Sequence, residues 1–231
     1  MKKWMLMGMF LLGGTAARAH LRDYLDTYGP YTLEKGRMEM ELWTDLRDPD
    51  GGDRYWVHQT EVEVGVTDRY TVGVYGVFVD GVGFAAAKIE NRFRPVLPRA
   101  WPFETAFYLE FQKANGDKER NEVEGKALLA KNWGAVNLTV NPILELEEKK
   151  DINGDKSWEL ETALALGTCY RKYWKKVTPG VELFFAEKKS RVTPGLYIDV
   201  ARDVRFNVGV GLGLEKPADN AQIKTILEIE F

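Results

Sequence analysis

The chain has 231 residues and a single cysteine, Cys169. One thiol cannot close an internal disulfide and cannot build a zinc site of several cysteines. Histidine and serine are nearly as scarce: only His20, His58, Ser157 and Ser190 occur. That is thin material for a serine or histidine-based hydrolase, and His58 lies about a hundred residues from the nearer serine. No glycine-rich phosphate loop is present, because "GVGLGL" alternates as a strand does. Beyond the first twenty residues no apolar run reaches the roughly 18 residues that a spanning helix needs. The formal net charge of −3 disfavours nucleic acid as a partner. No cofactor, metal or catalytic group is assigned from the sequence.

What is present begins with "MKKWMLMGMFLLGGTAARAH". Lys2 and Lys3 precede an apolar core from Trp4 to about Gly14, and Ala17-Arg18-Ala19 has the small-x-small form of a cleavage site. Residues 1–19 therefore read as a secretory signal peptide, and its removal takes the net charge to roughly −6. Residues 20–32 come next as a separate N-terminal segment on the periplasmic side. In it Leu21, Tyr24, Leu25 and Tyr28 recur at helical spacing before Gly29-Pro30. This is a short amphipathic helix or turn, either packed under or inside the rest of the fold or left as a leader.

From about residue 33 to 231 the period changes to two. Met38, Met40 and Leu42 alternate with Glu39 and Glu41; Val62, Val64 and Val66 alternate with Glu61, Glu63 and Gly65. The same holds for Ile89/Asn91/Phe93 against Lys88/Glu90/Arg92, and for Val208/Val210/Leu212 against Asn207/Gly209/Gly211. Turn signals such as "DPDGGD", "TDR", "NWG" and "EKPADN" divide this region into about 12 strands. Pro142 falls inside one of them and implies a bulge or an unpaired backbone position.

The composition, 45% hydrophobic and 29% charged, looks like that of a soluble protein. A membrane barrel has the same average when half of each strand faces a polar lumen. Two features separate the cases. Runs of 10–14 residues exceed the 5–6 typical of soluble strands and match the roughly 9–11 that cross a bilayer at a tilt. The turns also sort by parity, long and charged after odd strands and mostly tight after even ones, with "PVLPRAWPF" the exception. Trp101, Trp133 and Trp174 lie near the even turns; Tyr55, Trp56 and Trp158 lie near the odd ones. Such positions suit rings that prefer the boundary between lipid and water. The fold expected is an all-β, antiparallel, up-and-down transmembrane barrel with a short helical or irregular N-terminal segment. A soluble periplasmic ligand-binding barrel is the alternative.

The chain closes with "AQIKTILEIEF". Ile223, Leu227, Ile229 and the terminal Phe231 share a face, with Thr225 departing from the apolar pattern and Ile226 breaking the opposite, charged face. This resembles the C-terminal signature of Gram-negative outer-membrane β-barrel proteins, a barrel family without an assigned function in the stretches that match. The resemblance implies an outer-membrane location, lipid as surroundings and recognition of the last strand by the barrel-insertion machinery. It implies no activity.

If the apolar face meets lipid, the charges fill the lumen. The cluster expected there comprises Glu39, Glu41, Glu61, Glu63, Lys88, Arg92, Glu110, Glu124, Lys126, Glu145, Glu147, Glu159 and Glu161. Hairpin pairing should set Glu39 and Glu41 beside Glu61 and Glu63, and Glu145 and Glu147 beside Glu159 and Glu161. Like charges so placed need an offset from Arg, Lys, water, protons or a cation. A narrow passive channel for small polar or cationic solutes, and a non-conducting structural or partner-binding barrel, are both consistent with this pattern.

Overall fold

The computed structural model describes residues 22–116, 120–150, 154–187, 189–216 and 219–231; the signal-peptide reading of residues 1–19 lies outside them. Twelve strands run in order: β1 (Met38–Asp48), β2 (Tyr55–Thr67), β3 (Tyr70–Val79), β4 (Gly83–Phe93), β5 (Glu104–Ala114), β6 (Glu122–Trp133), β7 (Val136–Lys150), β8 (Lys156–Tyr170), β9 (Val177–Ala186), β10 (Arg191–Ala201), β11 (Val204–Gly213) and β12 (Ala221–Glu230). Each pairs with its sequence neighbour, and β1 pairs with β12, so the sheet closes on itself. All pairings are antiparallel; β1 and β12 run in register from Glu39↔Glu230 to Asp48↔Ala221. Backbone bonds between Met38 and Phe231 extend that seam to the last residue (2.7 and 3.3 Å). Closure removes every sheet edge, which hydrocarbon would leave unpaired.

The alternation sets the two faces. Leu42, Val64, Val74, Ile89, Phe107, Leu109, Leu144, Leu160, Val210 and Ile223 are exposed on the outside. Glu39, Glu41, Glu61, Glu63, Glu90, Glu110, Asn141, Glu182 and Glu228 are buried inside. Such a distribution is unfavourable in water and favourable in lipid, so the soluble ligand-binding barrel does not fit. Trp56, Trp101, Trp133, Trp158 and Trp174 are exposed near strand ends, as the girdle reading expects. Tyr55 is the exception: it shares parity with Val57 and packs on an inward cluster with Val77 and Ala86.

Both termini of the barrel lie at the same end, the terminal end. Its connections include the tight turns 68–69, 134–135 and 202–203, and the longer 94–103 and 171–176. In the turn before β7, Gly134 takes φ +63°, a conformation that a side chain disfavours. The opposite, loop end carries 49–54, 115–121, 151–155 and 214–220. Pro142 shifts no register. The ladder from β7 to β6 passes from Val140↔Leu129 to Ile143↔Lys126 with the two pairs between them missing, the local break that a missing N–H produces.

Residues 22–37 contain no helix. Of the placements open to residues 20–32, packed under or inside the fold or left as a leader, the described part takes the inside one: it enters the lumen, turns near Asp26 and Thr27, and returns past the 68–69 turn to β1. Leu33 N donates to Thr71 Oγ1 (2.8 Å) on the way out.

Candidate functional site: a lumen holding its own N-terminal segment

Three wall side chains seat the inserted segment. The Glu182 carboxylate on β9 accepts the backbone N–H groups of Leu25, Asp26 and Thr27 at 2.7, 2.8 and 2.6 Å, and the Tyr197 hydroxyl at 3.0 Å. Three successive amides on one carboxylate form an anion-binding nest turned inward, the stronger for the charge on its acceptor. Asn141 on β7 bonds Tyr28 twice, accepting its N–H at 2.7 Å and donating to its carbonyl at 2.9 Å. Glu228 on β12 accepts Arg22 N at 2.6 Å. An irregular segment placed in a barrel has no ladder partner, and these side chains supply its backbone hydrogen bonds.

Charge holds the tip. Asp26 meets Lys224 at 2.6 Å and Arg191 at 3.0 Å. Burial would raise its pKa, but Arg191 and Lys224 outweigh burial and hold the carboxyl below the usual range. At the mouth, Asp23 pairs with Arg205 (3.0 Å) and Arg171. Arg22 lies 3.7 Å over the Tyr28 ring centroid, and Lys126 approaches the same ring at 4.2 Å.

Apolar contacts complete the seat. Tyr24 and Leu25 form one buried cluster with Trp43, Cys169, Tyr197 and Ile226. Tyr28 packs on the Ala106, Tyr108 and Leu128 cluster. The lumen is therefore not uniformly charged, as the alternation alone implies. Ile226, which breaks the charged face of the last strand, is fully buried because it meets this segment. Gly167 leaves room for Tyr24: a Cβ there would stand 2.7 Å from Tyr24 Cε1.

The expected charge cluster divides into three groups. Near the terminal end, register places Glu39 between Glu63 and Glu230, and Glu41 between Glu61 and Glu228. Six glutamates thus form two rows of three across β2, β1 and β12. Arg92 belongs with them, its guanidinium 2.7 Å from Glu63. Along β4–β6, Lys88 pairs with Glu110 (2.9 Å) and Lys126 with Glu124 (2.8 Å). Toward the loop end, Glu145 faces Glu161 and Glu147 faces Glu159 in register. There Lys149 bridges Glu147 and Glu161 (2.5 and 2.8 Å), while Glu159 is exposed at the mouth. Sequence reasoning passed over Glu182, Asn141 and Asp26, whose roles exist only once the segment is inside.

Among the described residues, two polar cavities border the inner wall. One of about 660 Å³ opens at the loop end between Arg47, Lys149, Glu161, Lys189, Arg191 and Lys224. A second, of about 260 Å³, lies beside the inserted segment and reaches Tyr28, Tyr108, Lys88, Glu122 and Lys126. Both are lined by Arg47, Arg191 and Lys224. Their walls mix both signs nearly evenly, and the two glutamate rows line neither. His58 points outward, stacked beside Trp56 and bonded to Thr44 Oγ1 at 3.1 Å. Ser190 Oγ donates to the Ala186 carbonyl.

No family model matches the chain, and no curated protein matches it. Solved structures do match in fold. The NanC porin superposes with a TM-score of 0.58 at 10% identity, over 83% of this chain and 98% of its own. An outer membrane channel from Pseudomonas putida F1 gives 0.56 at 11% identity, over 90% of this chain and 100% of its own. The KdgM porin gives 0.53 at 11% identity, over 84% and 98%. The fold is that of an outer-membrane β-barrel.

Proposed function

We propose that this barrel is a passive outer-membrane channel for small polar solutes, narrowed from within by its own residues 22–37. The observation that carries the reading is the pair of polar cavities sharing Arg47, Arg191 and Lys224, one open at the loop end and the other beside the inserted segment. The likeness in fold to porins and an outer-membrane channel supports it. With the segment docked, the walls around the open space carry nearly balanced charge, which favours weak ion selectivity. With it withdrawn, the glutamate rows of β1, β2 and β12 face the lumen, and cationic solutes are favoured. In this reading the terminal end faces the periplasm, lipid surrounds the apolar belt, and the insertion machinery reads Ile223, Leu227, Ile229 and Phe231 on that belt.

A second reading, a non-conducting structural or partner-binding barrel, is favoured by the same docked segment, since Tyr24, Leu25 and Thr27 are fully buried. Liposome swelling separates the two. Proteoliposomes should admit small neutral and charged solutes, with rates falling steeply as solute size grows. Swelling no faster than in protein-free liposomes for every solute would leave the structural reading. The outward His58 and the Ser190 hydroxyl, bonded to a backbone carbonyl, lend no support to a hydrolase.

A further inference from the structure

We propose that the glutamate rows at the terminal end of the lumen form a binding site for a hard divalent cation, with Glu41, Glu61 and Glu63 as its core and Glu39 beside them. The proposal does not depend on whether the barrel conducts.

The first observation is geometric. One carboxylate oxygen from each of Glu41, Glu61 and Glu63 falls within 4.8 Å of the others. Calcium binds oxygen at 2.3–2.6 Å, so ligand oxygens on opposite sides of one ion stand about 4.6–5.2 Å apart. The arrangement results from the ladder. Glu61 and Glu63 are two apart on β2 and share a face, and β1 sets Glu41 opposite Glu61 and Glu39 opposite Glu63.

The second observation is independent of the clustering. Glu61 is fully buried, and neither of its carboxylate oxygens has a hydrogen-bond partner among the described residues. Glu63 Oε2 and Glu39 Oε2 are likewise buried and without a donor. Other lumen carboxylates are better served, although Asp45 Oδ1 is also buried without a donor among the described residues. Glu182 takes four donors, Glu110 takes Lys88 and Tyr108, and Glu147 takes Lys149 and Arg120. An unpaired buried carboxylate costs far more than a paired one.

Nearby cations are already engaged. Arg22 lies 3.4 Å from Glu41, Arg37 lies 2.7 Å from Glu230, and Arg92 serves Glu63 and Glu90. Arg205, at the edge of the group, pairs with Asp23 and Asp199. Glu228 spends its two oxygens on Arg22 N and Asn207 Nδ2. What remains is carboxylate oxygen with a surplus of negative charge, beside one unpartnered donor, Arg22 Nη2; the oxygens are the donor set of Ca²⁺ rather than of a soft transition metal. The wall also makes room: at Gly73 on β3, a Cβ would lie 2.6 Å from Glu61 Oε1.

The test uses the folded protein in detergent, stripped with a chelator and titrated with Tb³⁺. The Trp43 indole, whose Nε1 donates to Glu41 Oε2 at 2.7 Å, can sensitise its emission. One saturable site is expected, displaced by Ca²⁺, with calorimetry giving the same stoichiometry. Glu61→Gln keeps the shape and should weaken binding at least tenfold, as should Glu63→Gln. Glu145→Gln at the loop end should change nothing. Heat-modifiable migration reports that each variant is folded. A folded wild-type barrel that binds neither Tb³⁺ nor Ca²⁺ overturns the proposal whatever the variants do. So does binding that survives Glu61→Gln and Glu63→Gln unchanged, which would leave protons as the neutralising species.

Discussion

Replacing Glu182 by alanine should release the N-terminal segment without opening the barrel. The carboxylate meets three backbone N–H groups, of Leu25, Asp26 and Thr27, and no ladder bond depends on it. Removing it orphans three donors, each costing about 1–3 kcal/mol when buried. The lower end applies, because the adjoining cavity borders Leu25 and Asp26 and lets water approach. The sum is then about 3 kcal/mol, which at 1.4 kcal/mol per decade shifts the docked-to-free ratio by about a hundredfold. The chain carries its own reporter. Cys169, the only thiol, is 3% exposed and packs with Tyr24 in one buried cluster. A small methanethiosulfonate reagent should modify it about a hundredfold faster in the alanine variant when opening is in rapid exchange. Glu182→Gln, which retains one acceptor oxygen, should fall between. Labelling of Glu182→Ala at the wild-type rate, in protein whose heat-modifiable migration shows an intact barrel, would refute the seating described here.

The same contacts carry three further outcomes. Gly167→Ala places a methyl against the Tyr24 ring; overpacking of about 1–3 kcal/mol should raise Cys169 labelling by about five- to a hundredfold. Gly125→Ala, with nothing within 4 Å of the added carbon, should leave it unchanged. Because the docked Asp26 has a pKa below its free value, its contribution to docking is complete above about pH 4 and declines as the pH falls below that. Hydrogen-exchange protection of the Leu25–Thr27 amides should therefore weaken in acid, and Asp26→Asn should lack that decline. Deleting Phe231 removes an exposed aromatic and its backbone pairing with Met38. The folded, heat-modifiable fraction in cell envelopes should drop, while folding into detergent in vitro should suffer less.

The strands were legible because a lipid-facing barrel imposes period two on every one of them. The alternating stretches Met38–Leu42 and Ile223–Ile229 fall within β1 and β12. The carboxylate pairs were legible for the same reason: a hairpin fixes register, so Glu41 had to meet Glu61. Closure was harder, since Glu228 and Glu230 join the rows only through the β1–β12 seam. The seat of the segment was hardest. Its signals were small violations of alternation, such as Trp43 between Glu41 and Asp45 or Ile226 between Lys224 and Glu228. Each is ambiguous alone, because an apolar residue facing a polar lumen has no explanation until a partner is there to cover it. Glu182 gave no signal at all. A glutamate on an inward position looks like any other lumen charge, and its work is done on backbone N–H groups that carry no sequence signature.

The central claim, that the lumen conducts and that residues 22–37 narrow it, is tested most directly by planar-bilayer recording of the wild-type protein beside one lacking residues 22–33. The account predicts small steps with weak ion preference for the wild type, and larger steps with a clear preference for cations once the segment is gone. Identical conductance and selectivity in the two proteins, or no steps above background in either, would contradict it.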